Sequence, residues 1–97
     1  MTKSDDRSEQ VLALRQQGRS VTRIARLLGF RSAKEVVVAY RSALDSHPPE
    51  ERVELRDAEL GRLDALAKLI RSNERLTAED IASRVATIGR LRTLLTA

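Results

Sequence analysis

The chain has 97 residues and a net charge of +4 at pH 7, with no cysteine or tryptophan and a single phenylalanine and tyrosine. This length suits one small domain, or one domain with an appendage, and the missing cysteines exclude disulfides and thiolate metal sites. The polar N-terminus does not resemble a secretory signal, and no apolar run approaches the roughly 20 residues of a membrane helix. We therefore expect a soluble, cytoplasmic protein that has no contact with a membrane.

Helix-forming residues dominate the composition, and three short helices are predicted in the first half of the chain. Gly18 and Gly29 end the first two, because glycine readily takes the left-handed conformation that closes a helix. Ser20 suits the N-cap of the second helix, and Ser32 with Glu35 forms a capping box for the third, in which Glu35 reaches back to the Ser32 N–H. The expected helices are residues 7–17, 21–28 and 33–44, and residues 1–6 are expected to fray.

A helical hairpin is predicted in the second half, after the clearest punctuation of the chain, "DSHPPEE" at 45–51. The prolines end the third helix, and Pro49 with the acidic residues after it suits the first turn of a fourth. "SNER" at 72–75 breaks that helix, and Thr77 begins a capping-box-like start of a fifth. The expected helices are residues 49–71 and 78–95. The predicted fold class is all-α, with a trihelical domain at 1–47 and an antiparallel helical hairpin at 48–97.

The fourth helix carries apolar residues over a wider arc than one partner helix can cover. A small domain gains stability from self-association, so we expect the hairpin to bind further copies of the chain. The alternative is a five-helix monomer in which the hairpin only caps the trihelical domain. The residues expected at the interface between copies are Val53, Leu60, Leu63, Leu66, Ile70, Ile81, Val85, Ile88 and Leu91.

The basic excess of the sequence belongs to its first half. Residues 1–47 carry nine lysines and arginines against five acidic residues, whereas residues 48–97 carry nine of each. Such segregation favours a polyanion partner, although a genome rich in arginine codons would also enrich arginine over lysine. Two short helices joined by a glycine turn and braced by a preceding helix are typical of a helix-turn-helix, whose second helix enters the major groove. We therefore expect residues 1–47 to form a helix-turn-helix domain that binds double-stranded DNA.

The faces of these helices predict which residues meet the DNA. Basic residues around the turn are expected to contact phosphates, and those on the outer side of the third helix are expected to contact base edges. Lys34 and Arg41 are the base-edge candidates, and Val37 or Val38 can touch a thymine methyl. The expected DNA-binding residues are Arg19, Ser20, Arg23, Arg26, Arg31, Ser32, Lys34, Val38 and Arg41.

The sequence contains no nucleophile motif, Gly-rich phosphate loop or zinc-ligand spacing, so we expect a non-enzymatic protein without metal or cofactor. His47 is expected in a loop, and Arg15 on the first helix is expected only to aid solubility. The acidic residues at 50–59 alternate with arginines and predict an exposed helix face crossed by salt bridges.

Two stretches resemble the small subunit of phage DNA-packaging terminase over roughly residues 20–70: "IARLLGFRSAKEVVVAYRSAL" and, after it, "ELRDAELGRLDALAKLI". In that family an "LGY…A…RAL" headpiece precedes an "E-x-R-x-x-E-L-x-R-L-D-x-L" helix, and the second motif is the more specific. The matching residues are Leu28, Gly29, Phe30, Arg41, Ala43, Leu44, Glu54, Arg56, Glu59, Leu60, Arg62, Leu63, Asp64 and Leu66.

The resemblance implies a role in viral genome packaging within the bacterial host cytoplasm. It implies that the helix-turn-helix recognises viral DNA, that the hairpin assembles a homo-oligomeric ring, and that a tail engages the large ATPase–nuclease subunit. Many relatives carry a tryptophan after the fourth helix and a longer tail, whereas Ile70 and Arg71 stand at that place here and the sequence ends at Ala97. The DNA contacts that the resemblance implies are Arg23, Arg26, Arg31, Lys34 and Arg41.

Other functions stay open for the same residues. A dimeric transcriptional regulator or recombination accessory factor would use the helix-turn-helix in the same way, with the hairpin as its dimer interface. An interaction adaptor, in which the basic face is incidental, is a third class. Stoichiometry separates a ring from a dimer, and DNA binding separates both from the adaptor.

Overall fold

The structure of the chain is a computed structural model that describes residues 3–96, with side chains described for residues 7–96. Within that range the chain is all-α, as predicted, and contains no strand. Helices α4 and α5 pair along their length in the manner of a hairpin. The helices are α1 (Lys3–Gln16), α2 (Val21–Leu28), α3 (Ala33–Asp45), α4 (Pro49–Arg71) and α5 (Ala78–Thr96).

The predicted helix boundaries agree with the structure to within a residue, except at the start of α1. That helix begins at Lys3, so the predicted start at residue 7 is too late and residues 3–6 belong to the helix. Met1 and Thr2, which share the prediction of fraying, lie outside the described residues. Gly18 and Gly29 both have the left-handed conformation, with φ of 86° and 78°, which confirms their predicted role as helix stops.

Helix α3 lies at the centre of the fold and packs against the other four helices. The prediction that Val37 faces outward is wrong, because this side chain is only 1% exposed. Ala33, Val37 and Arg41 are spaced four residues apart and so share one side of α3, which α5 covers. The residues of α3 buried in the core are Val36, Val37, Ala39, Tyr40, Ala43 and Leu44.

One hydrophobic core joins the segments 1–47 and 48–97. It includes Val11 of α1, Ile24 of α2, Leu63 of α4 and Leu95 of α5, besides the buried residues of α3. The predicted boundary falls in the short segment between α3 and α4, but the core continues across it. None of the helices described is long and apolar enough to cross a membrane.

Part of the predicted interface between copies belongs to this core. Leu63, Ile88 and Leu91 are at most 5% exposed, so their assignment to an intermolecular surface is wrong: they pack inside the chain. Leu60, Ile70, Ile81 and Val85 are half-buried, and Val53 and Leu66 are exposed. The expected surplus of apolar surface on α4 is therefore smaller than predicted, and Leu69, which is 67% exposed, adds to it.

A buried ion pair ties α1 to α4. The Arg15 Nε donates to both carboxylate oxygens of Glu59, at 3.0 and 2.9 Å, and both side chains are almost completely buried. The Arg62 Nε donates to the same carboxylate at 2.8 Å. The expectation that Arg15 only aids solubility is therefore wrong, and so is the expectation that Glu59 lies on an exposed face. A buried carboxylate requires cationic partners, and two arginines supply them.

The same network extends to the segment between α1 and α2 and to Tyr40 of α3. The Arg15 Nη1 donates to the Arg19 carbonyl at 2.8 Å, which fixes the segment before α2. The Tyr40 hydroxyl donates to the Leu55 carbonyl at 2.9 Å and accepts from Arg62 Nη2 at 3.4 Å. Burial, and then the charge of Glu59, raise the pKa of Tyr40 above its ordinary value of 10.0, against smaller opposing effects of the arginines. Polar contacts, as well as the hydrophobic core, therefore join residues 1–47, which carry the basic excess, to the α4–α5 pair.

Candidate nucleic-acid interface

Helix α2 turns its basic residues to solvent because its apolar residues hold the opposite side. Val21 and Ile24 are buried against the core. Arg23 and Arg26 are exposed and lie one turn apart, so their side chains are neighbours on the helix surface. Together with Ser20, Thr22 and the exposed Leu27 they line a shallow depression of about 440 Å³.

Serine caps fix the starts of both α2 and α3, as predicted. The Ser20 hydroxyl accepts from the Arg23 N–H at 3.1 Å, and the Ser32 hydroxyl accepts from the Glu35 N–H at 3.3 Å. The return bond of the predicted capping box differs, because the Glu35 carboxylate accepts from the Arg31 N–H at 3.4 Å rather than from Ser32. Each serine hydroxyl keeps its own proton to donate, so it can still bind a phosphate oxygen.

The turn between α2 and α3 and the outer strip of α3 carry the next candidates. Arg31 and Ser32 are exposed in the turn, and Lys34 and Val38 are exposed on α3. The strip is narrow because the other sides of α3 are packed. Its exposed residues are Lys34, Glu35, Val38, Ser42 and Asp45.

Arg41 does not lie on this free strip. It is half-buried, and its Nη1 donates to the Leu94 carbonyl of α5 at 3.0 Å. The structure therefore gives Arg41 a partner inside the chain, in the last turn of α5, where unpaired carbonyls favour a cation. The prediction of a base-edge contact for Arg41 is not supported by this placement.

The predicted basic residues share one electrostatic property. Within residues 7–96, the salt bridges formed by arginine are those of Arg15, Arg62 and Arg92 with acidic side chains. Lys34 and the arginines predicted to contact phosphates form no salt bridge, although all of them are exposed. Their positive charge is consequently not neutralised by the described part of the chain. They are Arg19, Arg23, Arg26, Arg31 and Lys34.

Two features near α3 were not predicted from the sequence. The Arg7 guanidinium lies 4.1 Å from the centroid of the Phe30 ring, and both residues line a groove of about 580 Å³ beside Lys34. On the other side of Lys34, Thr87 and Arg90 of α5 line a second depression. Sequence periodicity assigns Arg90 to a polar face of α5, but only the packing of α5 on α3 places it next to Lys34.

His47 lies between α3 and α4, as predicted, with its Nδ1 3.2 Å from a Glu51 carboxylate oxygen. The part of the chain that the structure describes contains no group of three or more histidine or acidic side chains that could hold a metal ion.

Comparison of the chain with protein-family models, with curated proteins and with solved structures finds no match. The resemblance to terminase small subunits thus depends on the residues quoted above.

Proposed function

We propose that this chain is a non-enzymatic protein that binds double-stranded DNA, with α2, the turn and α3 acting as a helix-turn-helix. The observation that carries the proposal is the run of exposed cations on these consecutive elements, none of which has a carboxylate partner among the described side chains. Exposed arginines elsewhere are common, but five exposed cations between residues 19 and 34, with Glu35 as the one acid between residues 19 and 44, favour a polyanion.

The exposed strip of α3 supports an end-on entry into the major groove. Lys34 and the Ser32 hydroxyl lie at the N-terminal end of α3, whereas Asp45 lies at its C-terminal end. Arg31 and Lys34 flank the first turn of α3 and outnumber its one acid, Glu35, whereas the last turn carries Asp45 and no basic residue. The phosphates that flank the groove therefore favour entry of the N-terminal end. Lys34 is then the donor to guanine, and the exposed methyl groups of Val38 suit a thymine methyl. Arg23, Arg26 and Arg31 contact the flanking phosphates.

The proposed cellular role is that of a terminase small subunit, which recognises viral DNA and presents it to a large ATPase–nuclease subunit. The residue pattern over 20–70 supports this role, and the exposed Val53, Leu66 and Leu69 on α4 support self-association. Native mass spectrometry at low micromolar concentration tests it. A closed ring of about eight to twelve copies would support packaging. A dimer would instead favour a regulator, with half-sites about 34 Å apart.

DNA binding itself is tested by a charge-matched pair of double variants. Arg23→Ala/Arg26→Ala should reduce the slope of log affinity against log salt by about 2, since each phosphate contact contributes about 1. The control is Arg71→Ala/Arg75→Ala, which removes the same charge from exposed positions at the far end of the hairpin. Fluorescence anisotropy with duplex DNA across a salt series gives both slopes. Equal losses in the two variants, or no binding by the parent chain, would refute the proposed function.

A further inference from the structure

We propose that α5 contributes a phosphate contact of its own to this interface: Arg90, positioned by Thr87, binds the DNA backbone beside the N-terminal end of α3. The inference deepens the proposed DNA-binding function and rests on it. It gives α5, which the sequence predicts only as part of an oligomer interface, a direct part in recognition.

The placement of Arg90 follows from the packing of α5 against α3. A depression of about 550 Å³ lies between the two helices and is open to solvent. Lys34 and Arg90 lie on this same depression although they are far apart in the sequence, so two cationic side chains converge on it. The lining residues are Ser32, Ala33, Lys34, Thr87, Arg90, Leu91, Thr93 and Leu94.

Arg90 is oriented but not neutralised. Its Nη2 donates to the Thr87 hydroxyl at 3.0 Å, and that hydroxyl in turn donates to the Ser83 carbonyl at 3.1 Å. The Thr87 lone pairs are thereby directed toward the guanidinium. No acidic side chain within residues 7–96 pairs with Arg90, whereas Arg92, two residues later, pairs with Asp64 of α4. Arg92 therefore joins α5 to α4, whereas Arg90 lies beside α3 and has no acidic partner among the described side chains.

The chemistry of the depression matches a sugar–phosphate backbone. Ala33, Leu91 and Leu94 give it an apolar floor that suits a deoxyribose, and the Arg90 guanidinium with the Ser32 hydroxyl suits a phosphate oxygen. The same site could accept an acidic peptide. Duplex DNA is favoured because Ser32, Ala33 and Lys34, which form the N-terminal end of α3 that the proposed function places in the major groove, line the depression.

Residues of α3 that were predicted to face DNA lie instead on the side that packs against α5. Arg41 donates to the Leu94 carbonyl, and the buried Val37 lies one turn before it on the same side of α3. The hydrogen bond of Arg41 joins the backbones that carry Lys34 and Arg90, and Thr87 orients the Arg90 side chain. A side chain that is already oriented loses less entropy on binding than a mobile one.

The test is the DNA affinity of Arg90→Ala across a salt series. We expect a loss of roughly tenfold or more at low salt, similar for all duplex sequences, and a decrease of about 1 in the salt slope. Arg90→Lys keeps the charge and should retain the parent slope. The matched control is Arg84→Ala, which removes an exposed arginine of the same helix that does not line the depression. Circular dichroism and native mass spectrometry check that each variant folds and assembles like the parent chain.

Thr87→Val separates orientation from charge. It keeps the shape and removes the acceptor of Arg90, so affinity should fall by about two- to tenfold while the salt slope stays near that of the parent. If Arg90→Ala fails to fold, Thr87→Val still tests whether Arg90 contributes to DNA binding.

The outcomes distinguish this inference from the function on which it rests. If the parent chain does not bind duplex DNA, the proposed function fails and the role of Arg90 fails with it. If the parent binds, and Arg23→Ala/Arg26→Ala weakens binding while Arg90→Ala behaves like Arg84→Ala, only the role of Arg90 is overturned. Tighter binding of an acidic peptide than of DNA at this depression would overturn it as well.

Discussion

The arginines of α2 and Arg62 of α4 stand in opposite surroundings. Arg23 and Arg26 are exposed, and the described side chains offer them no carboxylate. Arg62 of α4 is partly buried and bonds to Glu59, which it shares with Arg15. At Arg62 the positive charge stabilises the fold, whereas at Arg23 and Arg26 it remains available to a partner. An arginine count therefore says little about function until the carboxylates around each guanidinium are known.

The largest expected effect is the loss of the buried carboxylate. Glu59→Gln leaves Arg15 buried without a counter-charge, so we expect the free energy of unfolding to fall by about 3–5 kcal/mol in urea denaturation. The control, Asp64→Asn, breaks the exposed pair with Arg92 and should cost at most about 1 kcal/mol. Equal, small losses in both variants would contradict the contrast between a structural and a surface charge.

Arg41 and Lys34 test the same contrast within α3. Arg41→Ala removes the hydrogen bond to the Leu94 carbonyl and should lower the free energy of unfolding by about 1.5 kcal/mol. Lys34→Ala removes an exposed side chain, so stability should change by less than about 0.5 kcal/mol while DNA affinity falls. Thermal unfolding and fluorescence anisotropy measure the two effects. A loss of affinity at unchanged stability in Arg41→Ala would restore this residue to the base edge.

Gly29 and Gly61 have different roles: Gly29 ends α2, whereas Gly61 lies within the uninterrupted helix α4. Gly29 has a φ of 78° and open space around it, so Gly29→Ala should destabilise the fold by about 1 kcal/mol through backbone strain alone. Gly61 lies inside α4, also in open space, and Gly61→Ala should stabilise by up to about 1 kcal/mol. Changes of the same sign in both variants, measured by chemical denaturation, would be inconsistent with a left-handed turn at Gly29.

The smallest expected effect is the loss of folding stability at alkaline pH when Tyr40 ionises. Because the pKa of Tyr40 is raised in the folded state, the proton binds more tightly there than in the unfolded chain. The corresponding stabilisation is complete below the unfolded pKa, near 10, and is lost as pH rises through the folded pKa. Tyr40→Phe should therefore show a weaker decline of the urea midpoint between about pH 9 and pH 11 than the parent chain. Parallel declines would assign the alkaline loss to other groups.

Local patterns in the sequence were sufficient for the helices and for the polarity of α2. Glycine stops, serine caps and prolines act over one turn of backbone, so Gly18, Gly29, Ser20 and Ser32 are where the sequence predicts them. The same local logic predicts Arg23 and Arg26 at the surface, and the structure places both there. The segregation of basic residues to the first half needs no structure at all.

The partners of long side chains depended on the tertiary structure. Arg15 and Glu59 are separated by 44 positions, and Arg41 and the Leu94 carbonyl by 53, so no periodic pattern links them. Helix α5 packs against α3, and this packing engages Arg41 and brings Arg90 onto the same depression as Lys34. The physical reason is one of range: helix formation is decided by neighbours within a few residues, whereas the counter-charge of an arginine is decided by whichever distant helix the core places against it.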